Sequence, residues 1–185
     1  MNVSHIKWVL VGAVLVVFIP WFAVVMSRES SSQDAIENFK DFAQPHMTIK
    51  FSKTIPWDPQ SFLGRGRTIG FWDWSEKGVV LTSKGQNIFA EPGGKDISGD
   101  VVVGKRKITT VKSVQPVGAN REVLFLYAWT ELTDVAKLFS KPPEIGKEYQ
   151  GLATLVEKTG AWDVKALTTP DFSRAVEILM AETSR

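Results

Sequence analysis

Hydrophobic and polar positions divide this chain at residue 28. From Trp8 to Ser27, WVLVGAVLVVFIPWFAVVMS, twenty residues pass without a formal charge, bracketed by Lys7 and Arg28. A bilayer core of about 30 Å is crossed by about 20 helical residues rising 1.5 Å each. In hydrocarbon every backbone amide must be paired within the segment, so this stretch is expected to span as a helix. Trp8 and Trp21 lie towards its two ends, where amphipathic rings settle at the interface, and Pro20 predicts a kink near the exit. A cleaved signal peptide has a shorter apolar run, about 7–15 residues, and small residues at the cut. Val25 and Ser27 would offer such a site, but the length of the run favours an uncleaved anchor over this reading and over a core helix. The predicted organisation is a short head over 1–7, an anchor over 8–27, a polar joint and amphipathic helix over 28–45, and one α+β soluble domain over 46–185.

Beyond the anchor, Ser31 and Asp34 have capping-box spacing, and Ile36, Phe39 and Ala43 fall on one helical face before Pro45. At Met47 the period changes to two: Met47, Ile49, Phe51 and Ile55 alternate with Thr48, Lys50, Ser52 and Thr54, which predicts a half-buried strand. Residues 56–78 read as a loop rich in aromatics, glycine and arginine. Residues 78–90 fit a helix capped by Thr82 or Ser83, the preferred reading, or two strands, and the Pro-Gly-Gly composition of 91–96 marks a surface loop. Lys107 to Gln115 and Glu122 to Thr130 predict a hairpin. Both faces of its second strand are apolar, Val123, Phe125, Tyr127 and Trp129 on one and Leu124, Leu126 and Ala128 on the other, so a central strand covered on both sides is expected. A short helix capped by Thr133 precedes Pro142. A second hairpin pairs Glu148 to Val156 with Trp162 to Leu167, and Thr169-Pro170 opens a closing helix striped by Phe172, Ala175, Val176 and Leu179. Short turns between adjacent strands impose antiparallel pairing, and helices at the ends make the fold class α+β with a mainly antiparallel sheet.

Charge and composition narrow the functions. Lys7 is the only charged side chain before Arg28, so the 22 basic and 20 acidic residues leave the rest of the chain at +1. That balance lacks the broad positive field of a non-specific nucleic-acid binder. With no cysteine, disulfides, thiolate metal sites and a cysteine nucleophile are excluded. His46 is the only histidine after the anchor and no GxSxG elbow accompanies it, so a Ser-His-Asp device is disfavoured. Asp58, Asp73, Glu76, Asp96 and Asp100 miss calcium-loop spacing, and neither a metal nor a cofactor is expected.

The richest candidate is the aromatic stretch. Trp57, Trp72 and Trp74 with Arg65, Arg67 and Asp73 combine flat rings, guanidinium groups and a carboxylate, the chemistry of a contact surface for protein or sugar. Asp58 and Asp73, each beside tryptophan, are where a glycoside-hydrolase carboxylate pair would be sought. Lys105, Arg106, Lys107 and Lys112 make a basic hairpin suited to a solvated strand end or anionic lipid heads. LTSKGQ, residues 81–86, resembles a fragment of winged-helix DNA-binding domains, which would imply contact with nucleic acid. TGAWDV, residues 159–164, is similar to the last hairpin of many curved-sheet α+β modules, including NTF2-like domains, a resemblance that implies no function.

The expectation is a single-pass protein of the cell membrane, held in the bilayer through 8–27 with Lys7, Trp8, Trp21 and Arg28 at the interfaces. The short head before a long C-terminal part places the domain on the extracytoplasmic side, although basic residues flank the anchor on both sides. There it would act as a binding or assembly module for an envelope protein or glycan. An anchored hydrolase using Asp and Glu, and a membrane-tethered nucleic-acid-binding domain, are the alternatives.

Overall fold

The alternation at Met47 forms a strand, and most of the later strands follow their predicted spans. The computed structural model of the chain describes residues 29–89 and 96–171. The anchor with Lys7, Trp8, Trp21 and Arg28 lies outside the described residues, as do the stripe from Phe172 to Leu179 and most of the 91–96 loop. Among the described residues no helix is long and apolar enough to cross a membrane.

The first helical segment, α1, occupies 29–37, and α2 is a single turn, Lys40–Ala43. Ser31 is already helical and is therefore not the expected cap. The predicted continuous stripe is broken at Asn38 and Phe39, which turns Phe42 towards the core. Strand β1, His46–Ser52, pairs antiparallel with β4, Asp96–Val102.

Between them the aromatic stretch is not a loop. Helix α3, Phe62–Ile69, starts where Ser61 accepts a hydrogen bond from Leu63 N–H and ends at Gly70, whose φ of 84° gives the left-handed closing residue. Strands β2, Trp72–Ser75, and β3, Gly78–Leu81, form a short hairpin. Trp72 lies against α3 and donates its indole N–H to Leu63 O at 2.9 Å. A Cβ at Gly66 would overlap the Trp72 ring and one at Gly64 the Pro59 carbonyl, so the two glycines of FLGRGR permit close approach to a ring and to the preceding backbone. The segment after β3 combines both predicted forms: Val79 to Leu81 are strand, then Thr82 caps α4, Ser83–Gln86, through Gly85 N–H. This single turn is all that follows in the winged-helix-like fragment before Asn87.

The second half is a four-stranded antiparallel meander in chain order: β5, Gly104–Val117; β6, Asn120–Leu132; β7, Glu148–Lys158; and β8, Ala161–Thr168. The β7–β8 turn places Thr159 at φ 50° and Gly160 at φ 81°, the double positive φ of a tight hairpin whose twist matches the strands. Three register shifts between β5 and β6 mark bulges, which bend a sheet. On the inner face of β6, Val123, Phe125, Tyr127 and Trp129 are buried, with Phe42 edge-on to Phe125 and Tyr127 at 5.5 and 5.7 Å. The outer face is covered only in part: Ala128 is buried, Leu124 and Leu126 are half-buried, and Leu152 on the neighbouring β7 is exposed. The helix predicted after Thr133 is a 3-10 turn, Asp134–Leu138. The Thr133 hydroxyl donates to Val102 O and Val103 O instead of capping, tying the turn to the β4–β5 corner.

Two hydrophobic clusters result. One unites β1, β4, α3, the β2–β3 hairpin and the 3-10 turn around Phe51, Phe62, Phe71, Trp72 and Phe89. The other lies between α1, α2 and the inner sheet face. The architecture is thus α+β with antiparallel sheets, as expected.

Candidate binding surface and a buried carboxylate cradle

Four of the six aromatic-stretch candidates meet on one surface. The helix–hairpin connection brings Arg67, at the end of α3, next to Asp73 on β2, with Nε 2.8 Å from Oδ1. The Arg67 guanidinium also sits 5.4 Å from the Trp57 ring centroid, and Trp57 packs on Trp74 at 5.8 Å with the rings inclined by 44°. Trp74 is 37% exposed, and Val80, paired with Asp73 across the hairpin, is 50% exposed. An apolar ring pair beside a charged pair is therefore presented to solvent.

The other two candidates belong to the scaffold. Trp72 is 1% exposed and serves the core: it shares a strand face with Trp74, but α3 packs over Trp72. Arg65 turns back to donate from Nε to Leu138 O at 2.6 Å and from a terminal nitrogen to Gln60 O, fastening α3 to the 3-10 turn. The supposed carboxylate pair is engaged locally. Asp58 accepts from Gln60 N–H at 2.9 Å in an Asx turn, and Asp73 accepts from Trp74 N–H as well as from Arg67. Neither carboxylate occupies the apolar recess that an acid catalyst needs.

The basic hairpin divides sharply. Lys105 pairs with Glu131 at 2.6 Å on the surface, and Lys107 and Lys112 are exposed. Arg106 is only 5% exposed, which corrects its reading as part of a solvated basic run. The alternation of β5 turns Gly104, Arg106 and Ile108 inward, and the bulge beside Arg106 sets its side chain under α2. There it donates from Nε to Phe42 O and from a terminal nitrogen to Asp41 O, both at 2.9 Å. The rings of Phe42, Tyr127 and Trp129 surround it at 4.9, 5.1 and 5.3 Å.

Beside this arginine lies a cluster that sequence reasoning missed. The Tyr127 hydroxyl donates to one carboxylate oxygen of Asp171, and Trp129 Nε1–H donates to the other at 2.8 Å. Arg106 lies 5.1 Å from the Tyr127 ring centroid and within reach of the Asp171 charge. Burial lowers the arginine's pKa from its ordinary value, an effect opposed by Tyr127 and Asp171. Burial, and then the hydrogen bond to Asp171, raises that of Tyr127. The available signal was an arginine at an inward position of a strand, between Gly104 and Ile108.

A cleft of about 550 Å³ opens on the exposed side of Arg106, bordered by Lys40, Asp41, His46, Asp100 and Lys165. His46 begins β1, and its Nδ1 is 3.5 Å from an Asp100 carboxylate oxygen. Among the described residues no group of three or more acidic or histidine side chains could hold a metal ion. No known protein family, curated protein or solved structure matches the chain.

Proposed function

We propose that the chain is a single-pass membrane protein whose α+β domain, on the extracytoplasmic side, is a binding or assembly module contacting an envelope protein through the Trp57–Trp74 surface. The observation that carries this reading is the ring pair beside the Arg67–Asp73 ion pair, with Trp74 and Val80 exposed. Tryptophan and arginine dominate the energetic centres of protein interfaces, where a packed aromatic group is ringed by polar contacts. Ring inclination favours a protein over a glycan, because a sugar face stacks best on an open ring and Trp57 is already covered by Arg67 and Trp74. The charge-free run from Trp8 to Ser27 supports the membrane assignment by its length.

The test uses intact spheroplasts carrying the full chain with a C-terminal tag. Protease added outside is expected to remove the tag while the Trp8–Ser27 segment stays in the alkali-resistant membrane fraction. A tag protected until lysis refutes the orientation, and release by alkali refutes the anchor. Purified full chain is expected not to sediment with insoluble cell-wall glycan. Sedimentation that Trp74→Ala abolishes would replace the protein partner with a glycan.

A further inference from the structure

Two nearly inaccessible polar side chains, Tyr127 at 0% and Trp129 at 1% exposure, converge on one carboxylate, and Arg106, 5% exposed, lies against their rings. Tyr127 and Trp129 each direct a donor at a different Asp171 oxygen, and Arg106 supplies the opposite charge while two backbone carbonyls fix its plane. The rings exclude water from the guanidinium and stack against it. Two fixed donors beside a desolvated cation form a carboxylate receptor by their own chemistry, since hydrogen bonds to a charged acceptor replace the water that a half-buried carboxylate gives up. Asp171 comes from outside the sheet, three residues beyond the end of β8.

We infer that Arg106, Tyr127 and Trp129 constitute a carboxylate-binding site that Asp171 fills in cis, latching the segment after β8 to the sheet, and that a small free carboxylate can fill in trans. The cleft beside Arg106 provides the approach. Leu167 near the end of β8 and Thr169 just beyond it line it, so withdrawal of Asp171 extends the cleft towards the cradle. The recognised group is a carboxylate because Tyr127 and Trp129 aim one donor at each of two oxygens, while Arg106 balances a single negative charge.

The experiment is chemical rescue of Asp171→Ala in the full chain in detergent micelles. It is read from the Trp129 indole N–H resonance, which Trp129→Phe assigns. In wild type, acetate is expected to leave this resonance in place, because Asp171 occupies the site. In Asp171→Ala it is expected to start displaced and move saturably back towards the wild-type position, half-complete on the order of 10 mM acetate. Chloride at equal ionic strength should not reproduce the movement. Asp171→Asn fills the site with an amide, so its resonance should not respond to acetate. If Asp171→Ala fails to fold in chloride, the proposal requires acetate to restore the fold. A folded Asp171→Ala protein with no saturable acetate response, an unfolded one that acetate does not rescue, or an Asp171→Asn response equal to that of Asp171→Ala overturns the inference.

Discussion

Replacing Arg106 by methionine separates a buried guanidinium from the surface basic residue its neighbours suggest. Methionine retains much of the apolar volume but removes two charge-assisted hydrogen bonds, to Phe42 O and Asp41 O, and the stacking on three rings. Hydrogen bonds to a charged group contribute about 1.5–3 kcal/mol each, and a desolvated cation–ring contact about 0.5–2 kcal/mol. Against that loss stands the cost of burying the guanidinium, several kcal/mol, which the variant no longer incurs. It still leaves two carbonyls without donors. The net loss is expected at about 3 kcal/mol. At about 3 °C per kcal/mol for a chain of this size, melting should fall by about 9 °C. The assay is urea unfolding of the full chain in non-denaturing micelles, followed by near-UV circular dichroism. Lys105→Met, which breaks only the exposed pair with Glu131, should cost under about 1 kcal/mol. If the two variants agree within about 0.5 kcal/mol, Arg106 does not organise the sheet's inner face and the argument fails.

Other substitutions probe other links. Gly66→Ala should destabilise by about 1–3 kcal/mol, because its Cβ meets the Trp72 ring in a packed core, and Trp72→Phe in the same chain should recover part of that loss in the same unfolding assay. Tyr127 has a raised pKa, so its contribution is complete below its ordinary value of 10.0 and is lost as pH rises above it. In Tyr149→Phe, which leaves Tyr127 as the only tyrosine, the rise in 295 nm absorbance should accompany loss of near-UV circular dichroism; ionisation with the fold intact would refute its burial. Lys137 and then Lys84 hold the Asp134 carboxyl down to about 2 from an ordinary 3.8. The stability it supplies is therefore present above pH 3.8 and lost as pH falls through about 2. Asp134→Asn should flatten that acid limb by under about 1 kcal/mol, the pair being largely exposed, as acid titration of the melting temperature would record.

The C-terminal hairpins were legible because alternation and turn chemistry agree there. Val123, Phe125, Tyr127 and Trp129 share a face by period alone, and the Thr159-Gly160 turn permits only a tight reversal. The aromatic stretch was legible in composition but not in form, since FLGRGR carries two glycines where a helix is expected to avoid them. The reason is tertiary: Gly66 makes room for a ring six residues ahead in the chain. Trp74 and Trp72 have the same local pattern and opposite fates, because only the packing of α3 decides which is covered. Arg106 was misread through its lysine neighbours, although strand alternation already separated it from them. Asp171 gave no local signal, because its partners lie more than 40 residues earlier.

The central claim is that the Trp57–Trp74 surface contacts an envelope protein, and photocrosslinking in living cells tests it most directly. A photoreactive phenylalanine analogue replaces Trp74 in one strain and Leu152, exposed on the outer sheet face, in another. Position 74 is expected to give a discrete protein adduct that Arg67→Glu weakens at least tenfold by placing two acids side by side, while position 152 gives none of that mass. The same adducts at both positions, or none at 74 with the protein folded and present in the membrane, would contradict the account.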